Sequence, residues 1–335
     1  MNSPFDIEEI FPDDGESPVR LPRQQTGRSP QGTAVTLLAD YTLRTRAWLP
    51  SGAIVALLAE SEVSNASART AISRLARRGV LEGRREGRHS FYRLSRSAAV
   101  NLSVGGGWIL TATATTRSWD ESWTVVAFSL PQERSTQRRA LRGQLRWLGF
   151  APLYDGMWIS PHELTVEARA HLAGLDLGAV AVFRGRWVEL DAASDRDPLA
   201  AWDVAGLAEQ YENFLDRWRP VLPRIASGEV GGAEAVRTRT EVMDTFRRFP
   251  TLDPQLPLRL LPAGWLREPA RETFVAVYDG LAPTAERHVR AVVARFTEGA
   301  APEVRAHTTA DLLAGVPTAF GSVLTSGFGD RTTGL

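Results

Sequence analysis

The sequence holds no cysteine and no lysine among its 335 residues. The first absence removes disulfides, thiolate metal sites and cysteine nucleophiles together, and it fits a reducing compartment. The second leaves arginine to supply all 39 basic side chains. A high-GC coding bias accounts for that, although arginine also suits phosphate and guanine better than lysine does. No stretch approaches the roughly 20 apolar residues a membrane helix needs, and no basic region followed by an apolar run opens the chain. A cytoplasmic protein without anchor or signal peptide is expected. Net charge is missing too, since 39 acids balance the arginines and charged residues make up 23%. That excludes a polycation and a globally disordered chain, so any affinity for nucleic acid must come from local charge. His89, His162, His171, His288 and His307 are scattered, and no phosphate-binding glycine loop, G-x-S-x-G elbow or paired-histidine metal motif occurs. No cofactor, metal or catalytic residue is expected, and the protein reads as a non-enzyme.

At about 150 residues per domain the length suggests two or three domains. Charge divides them. Residues 1–19 carry Asp6, Glu8, Glu9, Asp13, Asp14 and Glu16 and no base. Pro, Gly, Gln and Arg dominate up to Gly32, so 1–33 reads as a disordered acidic tail and linker. Residues 34–104 hold 11 arginines against five acids, a net of +6, whereas the remainder is slightly acidic.

The basic segment reads helix, helix, turn, helix, hairpin. Apolar spacing suggests a helix over Val35–Ala47; Pro50 stops it and Ser51 caps a second over Gly52–Ala59. Ser64 caps a third, running to about Arg78 and ended by Gly79. Val80–Arg85 and His89–Leu94 read as strands about a tight Glu86-Gly87-Arg88 turn. That is a winged helix-turn-helix. At about 100° per residue, Ala68, Ala71, Ile72 and Leu75 share the inner side of the third helix. Thr70, Ser73 and Arg77 oppose them, flanked by Arg69 and Arg74. This outer face has three arginines, two hydroxyls and no acid, where an ordinary solvated face mixes both signs. With a basic wing of Arg84, Arg85 and Arg88 following, double-stranded DNA is the expected partner.

Residues 105–192 alternate differently. A buried strand at Trp123–Leu130 precedes an amphipathic helix, Gln132–Leu148, with Leu141, Leu145 and Leu148 inside and Arg138, Arg142 and Arg146 outside. Short strands at Phe150–Tyr154 and Met157–Ser160, a helix near Leu164–Leu172 and a strand at Ala179–Arg184 complete βαββαβ, the ferredoxin-like plan. The arginine row reads as a solvated face, with a dimer or phosphate contact as the alternative. Residues 193–314 are expected to form a mainly helical domain, with Leu199–Trp218 its longest helix. Within it Asp253–Trp265, broken by three prolines, is expected to be an ordered loop. Residues 315–335 read as a flexible tail. The fold class is thus multidomain α+β.

Three segments carry a family likeness. They are Arg69-Thr70-Ala71-Ile72-Ser73-Arg74-Leu75 with Gly79-Val80-Leu81; Trp123–Pro131 with Leu148-Gly149-Phe150 and Trp158-Ile159-Ser160-Pro161; and the D-P-x-L-P-x-x-L-L-P-x-x-W loop Asp253–Trp265, followed by Ala270 and Phe274. Together they resemble the PaaX-type repressors, bacterial regulators of phenylacetic acid catabolism, over Leu21 to Arg290. The helix-turn-helix is common to many regulators, and the proline loop is the specific part. The resemblance implies a DNA-binding winged helix, a central domain like the small CRISPR adaptation nucleases and a helical C-terminal domain. It also implies a dimeric repressor released from DNA by an aromatic acyl-coenzyme A thioester. Arg237, Arg239, Arg247 and Arg248 are candidates for its phosphates and Trp265 for its acyl group; solvated surface and a core tryptophan are the alternatives. The CRISPR nucleases carry an aspartate at the end of the first strand, where Phe128-Ser129-Leu130 stands here. Metal-dependent phosphodiester chemistry would lack its ligand there, which counts against the rival reading, a metal-dependent nucleic-acid-processing enzyme; a ligand-storing scaffold is a third.

Overall fold

The structure, a computed structural model, describes residues 29–114, 119–129, 135–166, 169, 172, 179–188 and 197–315. The acidic tail, most of the C-terminal tail and part of the helix expected near Leu164–Leu172 lie outside them. The described chain is α+β, with helices and two antiparallel sheets. It forms two compact units. One holds Thr111–Pro223 and Asp244–Ala276; the other holds the described residues up to Leu110, then Arg224–Met243 and those from 277 onward. The stretch 193–314 therefore contributes to both.

In the second of these units, α1 (Pro30–Thr42) begins five residues before the expected Val35. Ser29 Oγ accepts from the Gly32 amide at 3.0 Å and Pro30 takes the first turn, where its missing N–H costs nothing. The linker expected up to residue 33 thus ends at the cap. The helix stops at Thr42 rather than Ala47, and Arg46 takes a positive φ of 47° just after it. Polar Thr33, Thr36, Asp40 and Thr42 are buried alongside Leu37, Leu38 and Tyr41, which explains the weak periodicity. After β1 (Leu49–Pro50) comes α2 (Ser51–Ala59), in which Ser51 is the first helical residue and not the cap; no side chain caps this helix. Next come α3 (Asn65–Arg77), β2 (Leu81–Glu86) and β3 (His89–Leu94), the sheet order being β1-β3-β2. α4 (Arg96–Ala114) follows without a break. Its Gly105-Gly106-Gly107 run imitates a linker, yet a Cβ on Gly106 would stand 3.1 Å from Leu312, so small residues let that side chain close in.

The other unit is built on β4 (Ser122–Ser129), α5 (Ser135–Trp147), β5 (Ala151–Tyr154), β6 (Met157–Ser160) and β7 (Ala179–Arg186). Every pairing is antiparallel, in the order β5-β6-β4-β7. Both faces are covered. Val126, Phe128 and Trp158 pack with Leu141 and Leu145 of α5, while Trp123, Leu153 and Ile159 form a second cluster on the opposite face. The expected helix Leu199–Trp218 is two elements, a 3-10 turn at Pro198–Ala201 and α6 (Val204–Trp218). Trp202 between them is extended and stacks on Trp123 with ring centres 6.0 Å apart, and Asp203 caps α6.

The chain continues through α7 (Val221–Ala226), α8 (Gly232–Phe246), α9 (Phe249–Leu252), α10 (Arg267–Gly280), α11 (Ala282–Ala294) and α12 (Thr309–Ala314). The proline loop is ordered by Asp253. Its carboxylate accepts from Arg267 at 2.6 and 2.8 Å, from the Tyr211 hydroxyl at 2.7 Å and from the Gln255 amide at 2.7 Å. Burial opposes the Arg267 charge, but the hydrogen bonds and field of Asp253 outweigh it and raise the guanidinium's pKa.

Candidate nucleic-acid interface

On α3 the sequence dictates the cap and the stripe. Ser64 Oγ accepts from the Ser67 amide at 3.2 Å, and Gly79, at φ 72°, ends the helix in the left-handed conformation that glycine adopts without strain. Ala68, Ala71, Ile72 and Leu75 are buried as expected. Arg69, Thr70, Ser73, Arg74 and Arg77 are all exposed, so the five side chains of the outer face come together. The exposed Thr70 hydroxyl donates to the Ala66 carbonyl at 2.9 Å. Arg74 and Arg77 sit in the last turn, where the helix dipole favours cations.

The hairpin pairs Leu81 with Leu94 through to Glu86 with His89, so Glu86 belongs to the strand and the turn is Gly87-Arg88 alone. Gly87 takes φ 57° there. Because side chains alternate along a strand, Arg84 and Arg85 leave opposite faces of this ribbon. Arg84 lies over Trp48 at 4.6 Å and near Glu86 at 3.2 Å, whereas Arg85 folds over the tip, its Nε donating to the Gly87 carbonyl at 3.1 Å. Arg88 is exposed at the turn. The expected cluster of three wing arginines is thus a tip pair, with Arg84 set apart on the Trp48 side.

Sequence reasoning missed the support of this hairpin. Glu82 bonds Arg46 at 2.8 Å and Arg93 at 2.7 Å, and Arg93 covers the other contact of Trp48 at 4.4 Å. Arg46 also donates to the Leu94 carbonyl at 2.9 Å; burial lowers its pKa, against the pull of Glu82. Glu82, one of the two acids in a hairpin otherwise charged only by arginine, was the available signal.

The effector candidates do not gather. α8 holds Arg237 and Arg239, about 200° apart around the helix, while Arg247 and Arg248 follow its end. Arg239 is fully buried. Its guanidinium donates to the carbonyls of Tyr278 at 2.6 Å and His307 at 2.7 Å and lies 3.9 Å from the Tyr278 ring, so it is unavailable to a phosphate. Burial opposes this charge, but Tyr278, Tyr41 and Asp40 more than compensate and its pKa is raised. Arg247 pairs with Asp244 at 3.0 Å. Arg237 is half-buried and Arg248 exposed. Trp265 is half-buried, and its ring meets Tyr211 edge-on at 5.8 Å.

Comparison with known proteins follows the same divisions. Residues 29–98 match the family described as PaaX-like protein, 116–197 the PaaX protein central Cas2-like domain, and 202–291 the PaaX-like protein C-terminal domain. The transcriptional repressor PaaX of Escherichia coli K12 is 29% identical over 243 residues, covering 71% of this chain and 75% of its own. An uncharacterized protein of Mycobacterium tuberculosis superposes with a TM-score of 0.51 at 19% identity, over 79% of this chain and 98% of that one, which speaks for the fold. With its first, central and C-terminal parts matched in order, and the Asp253–Trp265 loop inside the third, this chain belongs to the PaaX family.

Proposed function

We propose that this protein is a DNA-binding transcriptional repressor, dimeric and cytoplasmic, with no enzymatic activity, which controls an operon for phenylacetate-like aromatic acids. The observation that carries this is the outer face of α3, five exposed side chains with three arginines and no acid. The helices α1 to α3 with the β2–β3 hairpin are read as a winged helix-turn-helix; α3 enters the major groove and Arg85 and Arg88 hold phosphates or the minor groove. The likeness to the Escherichia coli repressor supports this reading. For the central unit, the antiparallel order β5-β6-β4-β7 supports a ferredoxin-like domain. The rival nucleic-acid-processing enzyme is not favoured, since β4 ends in Phe128-Ser129 and offers no carboxylate at that place.

The effector is an aromatic acyl-coenzyme A thioester; of the four arginines weighed for its phosphates, Arg239 is enclosed and Arg247 is paired with Asp244. Titrating acyl thioesters and the free acids against the complex of protein and operator tests this. Release by a thioester and not by its acid is expected; salt-insensitive DNA binding, or cleavage of DNA or RNA with added metal, would overturn the assignment.

A further inference from the structure

Arginine is concentrated a second time, on α5. Arg138, Arg142 and Arg146 recur at four-residue spacing, a row about 12 Å long, with Arg139 beside them. Two clefts that share Arg142 and Arg146 open on this face. One, of about 320 Å³, is lined by the four arginines alone. The other, of about 340 Å³, sets Arg142 and Arg146 against Asp155, Trp158 and the apolar Pro152 and Leu153. Among the described residues that line these walls the acid is Asp155, and it pairs with Arg142 at 2.5 Å. The walls therefore keep a clear positive excess.

Trp158 adds an independent sign. It lines the second cleft, is 1% exposed, and Arg146 lies 5.4 Å over its ring, yet among the described residues its indole N–H meets no acceptor. Trp119 and Trp218, by contrast, donate to the Ser122 carbonyl at 2.9 Å and the Thr245 hydroxyl at 3.1 Å. A buried donor without a partner is costly, and an oxygen brought into the cleft would satisfy it.

We propose that this face binds an organic pyrophosphate of the nucleoside di- or triphosphate class. Its phosphates, with about three to four negative charges at pH 7, lie along Arg138, Arg142 and Arg146. One phosphate oxygen accepts from Trp158, and the apolar part rests on Pro152 and Leu153. The cleft is at the small end of ligand sites, which begin near 300 Å³. A nucleic-acid strand would follow the arginine row but would need neither the apolar wall nor the buried N–H. A coenzyme A thioester carries an adenosine diphosphate unit and belongs to the same chemical class, but this site is built on α5 and the β5–β6 hairpin and does not rest on Arg237 or Arg248, so Arg237→Gln and Arg248→Gln should leave ADP affinity unchanged.

Calorimetric titration of the full chain without DNA tests it, with ADP, inorganic phosphate and a short random duplex as probes. ADP is expected to bind at least about tenfold more tightly than phosphate, and Arg142→Gln with Arg146→Gln to weaken ADP about tenfold. Asp155→Asn, on an exposed residue, should tighten ADP about two- to threefold by freeing Arg142. Trp158→Phe keeps an aromatic side chain but removes the N–H, and should weaken ADP several-fold. No ADP binding, arginine and Asp155 variants that leave its affinity unchanged, or duplex binding that needs the arginine row and ignores ADP would each overturn the proposal.

Discussion

At the scale of single residues, arginine does three different jobs in this protein, and only its surroundings tell them apart. Arg74 is exposed on a helix face, Arg85 at a hairpin tip, and Arg267 is closed over the Asp253 carboxylate. If Arg74 reads a base, Arg74→Ala should cost about 1–3 kcal/mol of operator binding and relax preference at one position per half-site. Arg85→Ala should weaken all sequences alike and flatten the salt dependence by about one ion per site. Gel-shift titration at several salt concentrations separates the two, and wild-type binding by both variants would refute the interface. Asp253→Ala leaves Arg267 charged, buried and unpaired, so about 3–5 kcal/mol of folding stability should be lost in urea denaturation. Pairing it with Arg267→Met should cost less than the two single losses added, because the stranded charge is gone.

Elements were legible where a helix or strand shows one face to water. The stripe of α3 and the ladder of β2 and β3 follow from period and turn residues alone. α1 was misplaced because it is buried on nearly every side, and α4 was overlooked because its glycine run, where Gly106 and Gly107 lie against Leu312, serves close packing rather than a turn. Gly156 illustrates the same limit. The Asp155-Gly156 pair reads as a simple hairpin turn, but a Cβ on Gly156 would stand 2.6 Å from the Phe128 carbonyl oxygen, while the Gly156 carbonyl accepts from the Phe128 amide at 2.8 Å. Gly156→Ala must push this turn off β4 and should cost about 1–3 kcal/mol; a thermal midpoint equal to wild type would show that the turn yields freely.

Across the molecule, long-range polar contacts bind parts of the chain that charge and periodicity kept separate. Near α1, the Tyr278 hydroxyl donates to Asp40 at 2.6 Å and His307 Nδ1 donates to the Ala39 carbonyl at 2.9 Å. Burial holds the His307 imidazole below the usual histidine range, more than its bond to Ala39 and the field of Asp311 can restore. The unfolded chain therefore binds this proton more readily. Stability from the neutral ring is present above about pH 6.5 and drains away as pH falls through the lower folded value. The melting temperature should drop on acidification from pH 7 toward 5, and His307→Asn should flatten that drop; the pull of Asp311 acts in a more acidic window, below the usual aspartate range. A two-fold dimer should protect an inverted repeat with half-sites about 34 Å apart or a multiple of it. A footprint on one unrepeated half-site, or a monomer in sedimentation at micromolar concentration, would contradict this.

The sequence by itself determined the basic segment, the inward and outward sides of α3, the strand order in time of the central unit and the loop at Asp253, because each depends on neighbours a few residues away. Tertiary structure alone decided which arginines remain available. Arg237 and Arg239 differ by two positions on one helix, yet one is half-buried and the other fully enclosed by carbonyls and rings from residues 41, 278 and 307. Composition assigns both the same charge. What that charge can do depends on the partners that distant parts of the chain bring to it, and on the solvent they exclude.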